Sequence, residues 1–419
     1  MRYRPDGTPT TMEVPPSTWK AVCVSTSVAI IGAGPAGLLL GHILQQAGVP
    51  FTILERQSRE HVLGRIRAGV LEQGSVAVLR ELGLAEHLDA AGLEHGGIHL
   101  QFAGERHHVD FRDLVDGSVT VYGQQALVAD MLAEHEQLGS RIVFDAADVA
   151  LHGVDGTSPH VVYTRGGVTE ELRPDIVVGA DGYHGVSRPS IPGATTLERS
   201  YPFAWLGILA DVAPSTDELI YALHTDGFAM HSMRSPQVSR LYLQVDPREA
   251  IDEWSDARIW EALQNRLGLD GWTLTEGAIT EKSITPMRSF VSSTLAHGRL
   301  FLVGDAGHIV PPTGAKGLNS AIADVALLGR ALLEWHAGDE AGLAEYNQRA
   351  LARQWKVQHF SQWMTEMLHV HSEAPDAAER AFRYESQLGQ LRYLSDSRFA
   401  RQSLAEQYVG LPIQKAAQP

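Results

Sequence analysis

The stretch Val28-Ala-Ile-Ile-Gly-Ala-Gly-Pro-Ala-Gly37, followed by Leu-Leu-Leu and then by the apolar run Phe51-Thr-Ile-Leu54 with Glu55 at its end, reads as strand, glycine turn, helix and strand. Gly32 lets the chain turn tightly, Gly34 has no side chain to keep a pyrophosphate from the backbone, and Gly37 lets helix and strand pack closely. The spacing predicts a helix from Pro35 to about Gln46 that stops at Gly48, with proline in the first turn where no amide bond is lost. Its free N-terminal amides and dipole face the phosphates. Glu55 at the second strand tip is placed to accept hydrogen bonds from a ribose. A glycine pattern alone also occurs in ordinary turns; the strand before, the helix after and the acid at this distance select dinucleotide binding.

The chain has 419 residues, 44% apolar and 20% charged, which is enough for two or three domains with a sizeable core. A formal net charge of -16 weighs against a nucleic-acid surface, so an anionic ligand must be held by locally placed arginines. The single cysteine, Cys23, leaves no intrachain disulfide framework and no thiolate metal cluster. No apolar run is long enough to span a bilayer, and Met1-Arg-Tyr-Arg-Pro-Asp-Gly lacks a signal pattern. The expectation is a cytoplasmic protein with no membrane or nucleic-acid partner.

Residues 1–24, rich in Pro and Thr, read as a flexible extension. Beyond Glu55, the glycine-flanked segment Val62–Gly69 carries Arg65 and Arg67 one residue apart; in a loop they serve either a phosphate or solvent. Leu71–Leu88 has apolar residues at helical spacing (Val76, Leu79, Leu82, Leu84) and predicts an amphipathic surface helix. Short alternating segments come next over Gly97–Val121, then a helix over Gln124–His135 and strands at Val143–Leu151 and Val161–Thr164. Pro174-Asp-Ile-Val-Val-Gly-Ala-Asp181-Gly182 repeats the strand-to-acid logic of the opening unit and is expected in the same parallel sheet. Tyr201–Leu243 breaks into short strands at hairpin spacing, which predicts an antiparallel sheet and a second domain. Glu253–Leu267 is helical in pattern and Ile279–Phe290 returns as a strand. Arg299–Gly304 is a strand ending in Asp305, followed by a loop and a helix from about Leu318 to Trp335, a second helix start facing an anion. The rest, about Tyr346–Leu391, is mostly helical, with Tyr408-Val-Gly-Leu-Pro412 as an ordered tail.

Three pieces together, Gly32–Glu55, Asp181-Gly182 and Gly304-Asp305, resemble the fingerprints of single-component, FAD-dependent aromatic hydroxylases. The resemblance runs from about residue 27 to residue 412, and the runs Val62–Gly74, Tyr201–Leu206, Glu218–Tyr221 and His308–Asn319 carry it most closely. It implies an α/β fold whose second domain is α+β: a Rossmann-like FAD-binding domain with a parallel sheet at 25–198, an antiparallel-sheet substrate domain at 199–292, and an FAD and interface segment with C-terminal helices at 293–419. It implies bound FAD, NADPH or NADH as transient co-substrate without a Rossmann domain of its own, O2 as oxidant, and a homodimer with the helical C-terminal region as interface. By position, Glu55 meets the ribose of FAD and Asp305 its ribityl chain, while Gly32, Gly34, Ala36, Gly37, Arg65, Arg67, Gln124, Leu318 and Asn319 complete the site. The positions matching nicotinamide contacts are Arg56, Gln57, His61, His184 and Arg288.

The same resemblance implies a 4-hydroxybenzoate substrate, hydroxylated at its 3-position to 3,4-dihydroxybenzoate by way of a flavin C4a-hydroperoxide. Ser232, Arg234 and Tyr242 match the residues that hold the substrate carboxylate; a planar guanidinium binds a carboxylate bidentately and two hydroxyls fill the remaining lone pairs. Without the resemblance Arg234 reads as an exposed strand arginine. Tyr221 and Tyr408 match the phenol end and His95 the outer end of a proton relay, because removing the phenolic proton enriches the ring carbon ortho to oxygen. Pro312 matches a position bordering substrate and flavin, and Arg240, like Asn319, one beside the isoalloxazine. Leu223, His231 and Leu241 flank the matched residues and bear on pocket shape. The alternatives are a hydroxylase of another carboxylated phenol, 3-hydroxybenzoate or 3,4-dihydroxybenzoate, and a flavin-binding sensor without turnover. No metal is expected: His369-Val-His371 and His107-His108 are not joined by further ligands in the sequence.

Overall fold

The computed structural model describes residues 26–65, 69–371 and 376–413. The expected extension at 1–24, Cys23 and Arg67 lie outside the described residues.

Val28–Ile31 is buried throughout and lies between two parallel neighbours, Phe51–Leu54 and Ile176–Gly179. Leu300–Leu302 and Ile142–Val143 extend the sheet in parallel, and Ala296–His297 pairs antiparallel at one edge. Strands covered on both faces favour apolar side chains, which is why these runs are nearly continuous rather than alternating; the one polar residue of the parallel runs, Thr52, is buried with its hydroxyl bonded to that of Thr26. The strand leading to Asp181 joins this first sheet, as its sequence suggests. The helix Pro35–Gln46 covers the sheet and packs against Gly317–His336. Gly37 sits where turn and helix meet: a Cβ there would lie 1.9 Å from the Gly32 carbonyl oxygen.

The second sheet orders its strands as His308–Ile309, Ala278–Ser292, Thr196–Asp211, Val238–Val245, Ala229–Ser235, Leu219–Ala222, Gly97–Phe102 and Glu105–Asp110. Neighbours are antiparallel except Leu219–Ala222 beside Gly97–Phe102, which run parallel. The last two strands form a hairpin whose turn residues Ala103 and Gly104 both have positive φ, 51° and 79°, the handedness that matches strand twist. Side chains alternate across this sheet with period two. Phe203, Trp205, Tyr221, Met230 and Tyr242 share one core with the C-terminal helices. Ala204, Leu206, Ile220, Ala229, Leu241 and Leu243 pack with residues of the helix Asp256–Leu267 on the other face.

The structure departs from three local expectations. Leu71–Leu88 is not one surface helix but the end of a strand, Val70–Glu72, then helices Gln73–Glu81 and Glu86–Ala91. The break is a left-handed cap at Gly83 (φ 74°), where Leu84 N donates to Leu79 O at 2.8 Å and Gly83 N to Arg80 O at 3.1 Å. Part of the expected loop after Glu55 is a short helix, Arg59–Gly64, capped by Ser58 Oγ, which accepts from His61 N. The ordered tail expected at Tyr408–Pro412 begins inside a helix, Arg398–Val409, with Tyr408 in its last turn.

Candidate functional site

A cavity of about 1040 Å³ is lined by residues of both sheets, above the roughly 300–1,000 Å³ usual for a single drug-sized ligand. Gly32, Gly34, Ala36 and Glu55 form one end of its wall. Gly32 turns the chain with φ 108°, and Gly34 has no protein atom within 4 Å of where a Cβ would stand. As N-cap of the helix Pro35–Gln46, Gly34 offers no capping side chain, so the first-turn amides keep donors for a ligand. Backbone amides fix Glu55: Oε2 accepts from Ala33 N at 2.8 Å and Oε1 from Gln57 N at 2.9 Å. Arg65, Gln124, Asp305 and Leu318 line the same wall. Asp305 lies in a tight turn, Gly304–Ala306, whose first amide donates to buried Asp324 Oδ2 at 2.9 Å. The open space at Gly34, the uncapped helix start and the acid at the strand tip fit a large polar dinucleotide.

Asp181 plays a structural part at the cavity edge. Its Oδ2 accepts from the amide and hydroxyl of Ser187, both at 2.9 Å, and burial pushes its carboxyl up. Asn319 does not line the cavity; its amide donates to Val70 O (2.8 Å) and Ala315 O (2.9 Å) and its Oδ1 accepts from Glu72 N (2.9 Å). It therefore ties Val70–Glu72 to the start of Gly317–His336.

At the other end, register sets the site. Tyr221 pairs with Met230, Met230 with Tyr242, and Tyr242 with Gly207, while Ser232 pairs with Arg240 in the next row. Tyr221, Ser232, Arg234, Arg240, Tyr242 and Pro312 thus open into one cavity. Arg234 Nη2 donates to Gln125 Oε1 at 3.3 Å, and its guanidinium lies so close over Gly123 that a Cβ there would be 2.0 Å from Nη1. Burial, then the neighbouring Arg240, holds the Arg234 guanidinium below its ordinary value. Arg240 Nε donates to the Tyr242 hydroxyl, and Arg240 Nη1 is buried with no protein partner, an unused donor suited to an incoming oxygen. Burial raises the Tyr242 phenol against the pull of Arg240 and Arg234.

The Tyr221 and Tyr408 hydroxyls meet at 2.6 Å in a fully buried setting. Burial pushes both phenols up, so both keep their protons near neutrality. Tyr408 stacks on Phe111 and does not itself line the cavity. His95, at the end of Leu93–His95, is 1% exposed and neither ring nitrogen has a protein partner; burial pushes its imidazole down, opposed by Glu218 and Asp217. Leu223, His231 and Leu241 do not line the cavity. His231 and Leu241 point to the opposite face, where His231 Nε2 accepts from Ser215 N at 3.0 Å, and burial pushes that imidazole down to about 4.

Arg56, Gln57, His61, His184 and Arg288 all border the same cavity. Arg288 stands over the Tyr183 ring, 4.8 Å from its centroid, with Glu198 3.8 Å away. Two groups escaped the sequence reading. Gly123 is the floor under Arg234. Lys316, buried, donates to Glu72 Oε1 at 2.6 Å and to the Tyr408 carbonyl at 2.8 Å, fixing the helix that carries Tyr408; its signal was a lone lysine in an otherwise small-residue loop.

His369 uses both nitrogens within the core: Nε2 accepts from Trp205 Nε1 at 2.6 Å and Nδ1 donates to Thr365 O at 2.8 Å. His107 stacks on Phe102, but His108 faces His99 and Glu218, further ligand types that sequence spacing does not reveal.

Comparison with known proteins places these features in a family. Residues 25–361 match a family model described as an FAD binding domain. The chain is 44% identical over 396 residues to p-hydroxybenzoate hydroxylase of Acinetobacter baylyi, covering 93% of this chain and 96% of that one. It is 25% identical over 378 residues to 3-amino-4-hydroxybenzoate 2-monooxygenase of Streptomyces cremeus, covering 84% and 90%. In fold, it matches the crystal structure of p-nitrophenol 4-monooxygenase from Pseudomonas putida with a TM-score of 0.76 at 18% identity, over 91% of this chain and 96% of that one.

Proposed function

The chain belongs to the FAD-dependent aromatic hydroxylase family, and from that premise we propose that it converts 4-hydroxybenzoate, NAD(P)H, O2 and a proton into 3,4-dihydroxybenzoate, NAD(P)+ and water. The observation that carries this reading is that Arg234 and Tyr221 open from one sheet face into the cavity beside the dinucleotide cradle, with the Tyr221 hydroxyl bonded to that of Tyr408 on the C-terminal helix. Bound FAD would supply the redox chemistry, accepting hydride equivalents from NAD(P)H and activating O2. Gly32, Gly34, Ala36 and Gly37 with the helix start hold its pyrophosphate, Glu55 its ribose, and Asp305, Gln124, Arg65 and Leu318 its remaining length.

Arg234 binds the substrate carboxylate with Ser232 and Tyr242, whose neutral hydroxyl is a donor. That fixes the ring so that its phenol points to Tyr221. Tyr221, hydrogen-bonded to Tyr408, takes and passes the phenolic proton, and His95 receives it at the outer end. A phenolate donates electron density to its ortho carbon, where an electrophilic oxygen attacks. Arg240, with its unused Nη1, stabilises developing negative charge beside the ring, and Pro312 borders substrate and flavin. Arg56, Gln57, His61, His184 and Arg288 receive the nicotinamide cofactor, the arginines suiting a 2'-phosphate.

We also propose a cytoplasmic homodimer joined through the C-terminal helices, where Phe382, Tyr393 and Phe399 are 72%, 63% and 83% exposed. No helix among the described residues is long and apolar enough to cross a membrane. Mass identification of products from 4-hydroxybenzoate, 3-hydroxybenzoate and 3,4-dihydroxybenzoate tests the substrate. Conversion of 4-hydroxybenzoate to its 3,4-dihydroxy product is expected; turnover of only one of the other two overturns the assignment.

A further inference from the structure

On the face of the second sheet turned away from the cavity, three side chains of ligand type converge. His99 and His108 are directly paired across the hairpin, with ring centroids 4.9 Å apart. Glu218, the residue before the strand Leu219–Ala222, reaches both: its Oε2 lies 2.7 Å from His108 Nε2 and 3.9 Å from His99 Nε2. One ligand atom from each residue falls within 4.8 Å of the others. All three side chains are partly covered yet accessible, at 26%, 42% and 19% exposure.

We propose that His99, His108 and Glu218 form a site for a divalent transition-metal ion of zinc type. Two imidazoles and one carboxylate are a ligand set that zinc takes, with a fourth position left for water. Ligands at about 2.0–2.2 Å in a tetrahedron stand roughly 3.3–3.6 Å from one another. The 2.7 Å contact must open and the 3.9 Å contact close by roughly 1 Å or less each, which side-chain rotation supplies. Glu218 Oε2 stands within ion-pair distance of both rings, and the two imidazoles face each other at 4.9 Å with the carboxylate between them, so all three ligand atoms turn toward one point. Exposure is enough for an ion to enter, and the backbone supports the arrangement: Thr216 Oγ1 donates to Glu218 O at 2.7 Å, holding the segment that presents the carboxylate.

The location gives the ion a consequence. Gly97–Phe102 beside Leu219–Ala222 is the parallel junction that attaches the Gly97–Asp110 hairpin to the strand carrying Tyr221. A metal ligated from both sides staples that junction. None of the three residues lines the cavity, so the site is separate from the hydroxylation machinery.

The test uses tag-free, FAD-loaded full-length protein and Zn2+ alone, followed by equilibrium dialysis with metal analysis. One tightly held Zn2+ per chain is expected, together with a rise in Tm and, on substitution by Co2+, the intense visible bands of a tetrahedral site. His99→Gln and His108→Gln should each lose the ion by at least tenfold in affinity and lose the Tm rise, while flavin absorbance and metal-free hydroxylation stay unchanged. Glu218→Gln, keeping shape without charge, should weaken binding in the same direction. Absence of saturable Zn2+ binding in the parent protein, or binding unchanged in both histidine variants, overturns the proposal. If a glutamine variant fails to fold, the Co2+ spectrum of the parent decides: octahedral, weak bands count against the site.

Discussion

Gly123→Ala isolates the carboxylate-binding role proposed for Arg234. Gly123 has φ -57° and ψ 130°, a conformation alanine adopts freely, so the backbone is not strained. The added Cβ would stand 2.0 Å from Arg234 Nη1, 2.5 Å from Cζ and 2.8 Å from Nη2. Restoring an ordinary contact of about 3.5 Å moves the guanidinium by roughly 1.5 Å. A hydrogen bond stretched by that much is no longer one. Losing a charge-assisted bond costs about 1.5–3 kcal/mol, which is about 10- to 150-fold in Kd. The assay is a flavin absorbance titration of the FAD-loaded variant with 4-hydroxybenzoate, run beside phenol, which lacks the carboxylate. Binding of 4-hydroxybenzoate should weaken by that factor and binding of phenol should not. An unchanged Kd for 4-hydroxybenzoate in a folded, FAD-loaded variant would refute the role given to Arg234; equal weakening of both ligands would place the effect elsewhere in the cavity.

Other consequences are equally direct. Tyr221→Phe should keep 4-hydroxybenzoate affinity within a few-fold while hydroxylation falls by about 10²–10⁴, measured as product per turnover of NAD(P)H; undiminished product formation would dispose of the relay. Gly34→Ala and Gly37→Ala should part company. With nothing within 4 Å, alanine at 34 leaves the apoprotein's Tm intact but lowers FAD affinity, whereas alanine at 37, 1.9 Å from the Gly32 carbonyl, prevents folding to a yellow protein. The buried, neutral His231 sets a pH slope. Its folded value of about 4 lies below the roughly 6.5 of the unfolded chain, so between these values only the unfolded state takes the proton and stability falls as pH drops. By pH 5 this amounts to about 2 kcal/mol, read from urea denaturation at pH 7 and pH 5, and His231→Gln should flatten that part of the slope.

Elements fixed by local chemistry were legible in the sequence: Val28–Ile31, Pro35–Gln46 and Phe51–Leu54 have the bounds that apolar runs, a first-turn proline and a closing glycine dictate. The strand before Asp181 was legible for the same reason. Pairing over long separations was not. The Gly97–Asp110 hairpin completes a sheet whose other strands begin at Thr196, and nothing in its own residues names that neighbour. Gly83 was visible as a glycine, but the continuing apolar spacing through Leu84 masked its role as a helix stop. In the site, alternation from Met230 through Ser232 explains why Ser232 reaches the cavity while His231 does not, and the register shift between Met233 and Ser235 accompanies the entry of both Met233 and Arg234. The closeness of Gly123 to Arg234, of Lys316 to Glu72, and of His99 and His108 to Glu218 depends on tertiary packing across 110 to 244 residues, which no local pattern encodes.

The most direct measurement is NAD(P)H oxidation by the purified yellow protein, with and without 4-hydroxybenzoate, with the product identified by mass. Bound FAD, oxidation accelerated by 4-hydroxybenzoate, and one 3,4-dihydroxybenzoate formed per NAD(P)H consumed are expected. A colourless protein, or oxidation indifferent to 4-hydroxybenzoate with no hydroxylated product, would contradict the assignment.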